Sequence, residues 1–179
     1  MFATRVLVSL FELSMMIVMS ALIITQTYRL FVRANPDFHM GEEVKKGNVA
    51  IGILVATILV SASYIMMAGT ESSIEMFKMH MLAPRAGNES LLWIFILMCA
   101  HLAVSMTVAI ASISVTLRLF GHLERRFHAG KELQSGNVAV GLLLSAVVLI
   151  SSVYVREGMS SLSKAMTPQP SIGRVQMSR

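Results

Sequence analysis

The sequence predicts an all-α, polytopic membrane protein with four transmembrane helices built from two parallel two-helix repeats. Three observations carry this. Apolar residues are 55% of the 179 and charged residues only 14%, with a mean hydropathy of +0.68. A water-soluble domain carries more charge on its surface. Four apolar stretches each hold the roughly 20 residues that cross about 30 Å of hydrocarbon as a helix. Finally, the chain repeats itself: residues 38–52 read FHMGEEVKKGNVAIG and residues 127–141 read FHAGKELQSGNVAVG, an offset of 89. An apolar stretch flanks each copy on both sides. Each half therefore crosses twice, and the halves cross in the same sense about a pseudo-two-fold axis along the membrane normal.

The first stretch lies between Arg5 and Arg29 and the second between Lys46 and Glu71. The third runs from Glu89 to Arg118 and the fourth from Ser135 to Arg156. Helices are required, because lipid offers no partner to an open backbone group. The alternating pattern of a membrane β-barrel is absent. The first stretch is too long for a signal-peptide core and matches the third in the repeat, so it is expected to be retained. The chain divides into a first two-span repeat (1–69), a connector (70–89), a second repeat (90–158) and a polar tail (159–179). In the connector Ile74, Phe77, Met81 and Leu82 fall at helical spacing, with Glu71, Glu75 and Lys78 on another face. This predicts a short amphipathic helix on the membrane surface, ended by Pro84 and Gly87. The tail lacks apolar periodicity and reads as mobile or interfacial.

The net charge of +5 is spread over loops and tail. It reads as topology and lipid contact rather than a nucleic-acid footprint. The two repeated loops carry Arg29, Arg33, Lys45, Lys46, Arg118, Arg125, Arg126 and Lys131, against Arg5, Lys78, Arg85, Arg156 and Lys164 on the other side. The bias places the repeated loops in the cytoplasm and both termini outside. Cys99 is the only cysteine, so no internal disulfide exists.

The duplicated motif supplies the candidate residues. Asn48 and Asn137 follow glycine at the entrance to spans two and four, as helix caps do. One helical face then carries Asn48, Gly52, Ala56 and Ser63, and its copy carries Asn137, Gly141, Ser145 and Ser152. Small residues four apart let helices approach closely in lipid, so these faces predict a tight seam between spans two and four. The competing reading is a polar path lined by the asparagines and serines.

Glu12 and His101 occupy equivalent positions in spans one and three. Ionisable groups in a span are costly and face protein or water. Together they are the candidates for a proton or ion pathway; the plainer reading leaves Glu12 reaching the headgroups and His101 bonded to backbone. His39 and Glu43 are four apart, as are His128 and Glu132. Two imidazoles and two carboxylates would suit a transition metal, while ordinary i,i+4 polar pairs explain them as well. Haem between two histidines is weighed and set aside, since only His101 is well inside a span. No phosphate-binding glycine loop, nucleophile elbow or paired-carboxylate site is present. No catalytic residue and no cofactor is therefore assigned. The fifteen methionines read as flexible packing groups.

The paired Gly-Asn-Val-Ala at 47–50 and 136–139, in a four-span chain of two double-span units, resembles the YjfL-like bacterial inner-membrane family, domain of unknown function 350. The resemblance covers roughly residues 5–157 and rests on Asn48, Ala50, Asn137 and Ala139. It implies a small multi-pass protein of the bacterial cytoplasmic membrane and no established reaction. The expected function is a non-enzymatic structural or accessory subunit, oligomeric through its small-residue seams with itself or other membrane subunits. The alternatives are a channel or proton-coupled transporter using Glu12 and His101, and a metal or haem protein.

Overall fold

In the computed structural model, residues 2–34, 40–82, 90–123 and 128–166 are described. They form six helices: α1 (Phe2–Ala34), α2 (Met40–Lys45), α3 (Val49–Leu82), α4 (Leu91–Leu123), α5 (Ala129–Gln134) and α6 (Val138–Met166). No strand occurs among the described residues. The four long helices are each apolar enough to cross a membrane. The first three helices begin at Phe2, Met40 and Val49, and the last three at Leu91, Ala129 and Val138, each 89 residues later.

Local chemistry explains the ends. Ser90 opens α4 by accepting the Trp93 N–H on its hydroxyl at 3.3 Å. The short helices close on Gly47 (φ 79°) and Gly136 (φ 83°), left-handed positions that a side chain resists. Gly47 N–H donates to Val44 O and Asn48 N–H to Glu43 O, both at 3.0 Å. Gly136 and Asn137 do the same to Leu133 and Glu132 at 3.0 Å. These are full Schellman closures, which use up the otherwise open carbonyls at the helix ends. Within the spans, hydroxyls turn back to carbonyls one turn earlier, as Ser14 does to Leu10, Thr25 to Ala21 and Ser105 to His101. That return bond lets a serine or threonine sit in lipid without an open donor.

Helix α3 is the most buried of the four spans. It packs on α6, α4 and α1, while α6 packs on α3 and α4 but has no comparable contact with α1. The central core joins Leu54, Ile58 and Ile65 of α3 to Ala109 and Ile113 of α4 and Leu144 of α6. A smaller cluster joins Met76 to Ile94 and Met98 near the other end, with Phe11 and Phe77 against it. Lipid tails are as apolar as these side chains, so shape complementarity rather than water exclusion holds the helices together.

Two expected boundaries move. The surface helix expected in the 70–89 connector is not a separate element: residues 70–82 continue α3 without a break. No helix breaker occurs before Pro84, and part of the expected apolar face packs on neighbours instead: Ile74 is buried and Phe77 stacks on Phe11, while Met81 stays exposed. Residues 83–89 lie outside the described residues. Likewise α6 runs past Gly158 to Met166, so the first eight residues of the expected tail, 159–166, are helical. Met159 and Ser163, one turn apart, are buried there.

Candidate functional site

The two copies of the duplicated turn lie at one end of the bundle and touch. Asn48 caps α3, its Oδ1 accepting the Ile51 N–H at 3.2 Å. Its Nδ2 reaches into the other half, donating to the carbonyl oxygens of Leu133 at 2.8 Å and Gln134 at 3.3 Å. Asn137 caps α6 through Ala139 and Val140 N–H at 3.1 and 3.4 Å. Its Nδ2, however, donates to Glu132 Oε2 of its own half at 2.8 Å, and Asn137 is exposed. Glu43 accepts from Asn48 Nδ2 at 3.3 Å and pairs with Lys46 at 2.6 Å. That hydrogen bond, with the carboxylate's charge, raises the Lys46 ammonium above its ordinary pKa.

Beyond the turns, α3 and α6 approach with backbone against backbone. A Cβ on Gly141 would stand 2.7 Å from Ala50 O and 3.0 Å from Ala50 Cα. Ser145 and Ser152 are buried on the same face of α6. The first copy of that face behaves differently. Ala56 is exposed and Ser63 half-buried, and nothing lies within 4 Å of a Cβ on Gly52. The expected seam thus contains the second set of small residues and not the first. A two-fold axis would require Gly52 to meet Ala139 as Gly141 meets Ala50; the contact is one-sided. Helix α3 meets the second half through Ala50 and Leu54, both fully buried, with Gly69 lower down.

The opposite end holds a layer of polar groups. Glu12 of α1 pairs with Lys78 of α3 at 2.7 Å, beside a Phe11–Phe77 stack with centroids 3.8 Å apart. Arg156 of α6 lies 4.7 Å over the Tyr64 ring and 3.6 Å from Glu71 Oε1. His101 is 1% exposed, and its Nε2–H donates to Ser163 O at 3.3 Å. Its Nδ1 is buried with no hydrogen-bond partner. Gly69 lets α3 come against this point: a Cβ there would collide with the Ser105 hydroxyl. Glu12 and His101 therefore have different partners on different helices and do not pair with each other. The signal for the partner of Glu12 was present in Lys78, a cation inside an otherwise apolar helix that demands a counter-charge. Ser163 carried no such signal, because the acceptor is a backbone carbonyl.

The described members of the histidine–carboxylate pairs, Glu43, His128 and Glu132, do not come together as a metal site. His128 precedes α5 in a left-handed conformation (φ 41°, ψ 46°) and makes no side-chain cap bond. Glu43 and Glu132 are engaged with Lys46 and Asn137 respectively. His39 lies outside the described residues. Among the described residues no three His, Cys, Asp or Glu come together in a way that could hold a metal ion. An open apolar groove of about 360 Å³ lies between α3 and α6, lined by Val60, Tyr64, Ile150 and Val153 among others.

The model of one family, Domain of Unknown Function (DUF350), matches residues 5–159. This covers both halves, and the chain belongs to that family. No curated protein and no solved structure matches the chain.

Proposed function

We propose that this DUF350 chain is a non-enzymatic subunit of the bacterial inner membrane, oligomeric through its small-residue helix faces. The close approach of Gly141 to the Ala50 backbone, at 2.7 Å from a would-be Cβ, carries this reading. Such contacts are how helices associate in lipid, and the same small residues stand open at Gly52, Ala56 and Gly158. Two of the bundle's intramembrane carboxylates are engaged by cations, Glu12 by Lys78 and Glu71 by Arg156. That arrangement supports structure more than transport. The repeated turns face the cytoplasm and both termini face outside, on the strength of the cation bias. The mass of the full chain in lipid nanodiscs tests the reading: a multiple of 19.6 kDa, or a fixed complex with another subunit, is expected. A lone monomer overturns it.

A second reading, proton-linked conduction, is favoured by one observation, the buried Nδ1 of His101 without a partner. A buried ionisable side chain inside a span, bonded at one nitrogen and open at the other, is the kind of group that marks a proton or ion path. Liposomes holding the protein and a pH-sensitive dye decide between the two. The structural reading expects no flux, and a flux abolished by His101→Gln favours conduction.

A further inference from the structure

The two halves of this chain are joined by an interface that is not self-complementary, and the unused half of that interface is displayed at each side of the molecule. Along α3, Ala50, Leu54, Ser61, Ile65 and Gly69 form one face, and all are buried. The residues 89 positions later on α6 are Ala139, Leu143, Ile150, Tyr154 and Gly158, and all are exposed. Tyr154 is 75% exposed where Ile65 is 0%. The spacings of four and seven keep each set on one side of its helix.

The surface that covers the α3 face shows the converse. It includes Leu133 at the turn, Ser105 and Ile113 on α4, and Gly141 on α6, with Leu133, Ser105 and Ile113 at most 1% exposed. Their counterparts in the first half are Val44, Met16, Ile24 and Gly52. Val44 is 42% and Ile24 56% exposed, and Gly52 has open space above it. The polar link follows the same rule. Asn48 bonds across to Leu133, whereas Asn137 folds back on Glu132 of its own half.

We infer that a second copy of this chain docks on α6 head to tail, repeating between chains the interface that joins the halves within one. Ala139 and Gly158 of one copy then meet Gly52 and Met16 of the next, and Asn137 turns to the next copy's Val44 carbonyl. Because the two surfaces differ, the association is heterologous: each copy keeps one open donor face until a ring closes. Like ends of both halves share a membrane face, so the rotation that propagates the contact stays in the bilayer plane. The inference rests on the assembly reading above and gives it a specific surface.

Cross-linking tests it on the full chain carrying Cys99→Ala. A tagged Gly52→Cys chain and an untagged Ala139→Cys chain are co-expressed in membranes and oxidised with copper–phenanthroline. A cross-linked heterodimer, absent from either variant alone, is expected. A 52–52 or 139–139 product, or no product from a chain that is oligomeric by mass, overturns the head-to-tail surface while leaving oligomerisation standing. A monomeric mass overturns both. A 52–139 link within one chain carrying both substitutions also overturns it, because a two-fold packing of the halves would produce it. Gly158→Leu gives an independent arm, since nothing lies within 4 Å of its Cβ in the single chain. It should leave the thermal midpoint of the monomer no lower than before, since leucine is the better helix former, and shift the mass toward one copy; an undisturbed oligomer overturns the proposal.

Discussion

Asn48 donates its side-chain amide to the carbonyl of Leu133 at 2.8 Å, and so ties the first copy of the duplicated turn to the second. Asn137, the same residue of the same motif, makes no such link and bonds to Glu132 instead. One sequence motif thus has two structural duties, which separate under mutation. Asn137→Ala removes a cap, worth about 1 kcal/mol. Asn48→Ala removes a cap and also the hydrogen bonds that cross to the Leu133 and Gln134 carbonyls, adding about 0.5 to 1.5 kcal/mol. Thermal unfolding in mild detergent, followed by circular dichroism, should rank Asn48→Ala clearly below Asn137→Ala.

The paired glycines of the seam make a second contrast. Gly141→Ala forces a methyl to 2.7 Å from Ala50 O, so the backbones must separate. Overpacking of this kind costs about 1 to 3 kcal/mol. Gly52→Ala meets nothing within 4 Å and replaces a poor helix former with the best one, a gain of up to about 1 kcal/mol. The two variants should move the unfolding midpoint in opposite directions in monomeric detergent samples.

Gly47 and Gly136 hold φ near 80° at the closure of α2 and α5. Alanine in that conformation costs about 1 to 2 kcal/mol. Nothing lies within 4 Å of either Cβ position, so the penalty is one of backbone conformation alone. Asparagine tolerates the left-handed region better. Gly47→Asn should therefore recover part of the stability lost in Gly47→Ala, measured by the same unfolding assay.

Glu12 and His101 are not partners, which a double-mutant cycle can read directly. Glu12 and Lys78 are each more than one-third exposed, so Glu12→Gln should cost less than about 1 kcal/mol. His101→Ala opens a cavity at a fully packed junction and should cost about 2 to 5 kcal/mol. Residues without shared partners add to within about 0.5 kcal/mol. Additivity is expected for Glu12 with His101, and a measurable coupling for Glu12 with Lys78.

Much of the architecture was legible from residues alone. Span number, the shared side of the two turns and the capping of α3 and α6 follow from apolar run lengths and from Gly-Asn at 47–48 and 136–137. These are local or periodic properties, decided within a turn or two of chain. The pairing of charges was only half legible. Glu12 announced a need for a partner, but Lys78, 66 residues away, lay in a stretch that looked like a surface connector. Nothing local said that α3 would continue to Leu82 and carry Lys78 back against α1.

The sequence by itself determined that there are two like units and which residues in each are small enough for helices to meet. Only the tertiary structure decided which copy of each small face is used. Gly141 is engaged and Gly52 open; Gly69 is engaged and Gly158 open. The physical reason is that like motifs at 47–50 and 136–139 set up like small-residue faces, and two units bearing such faces can mate face to face or head to tail. Choosing between them depends on the fit of long helices in three dimensions, where α3 settles between α1, α4 and α6 while α6 keeps one flank free.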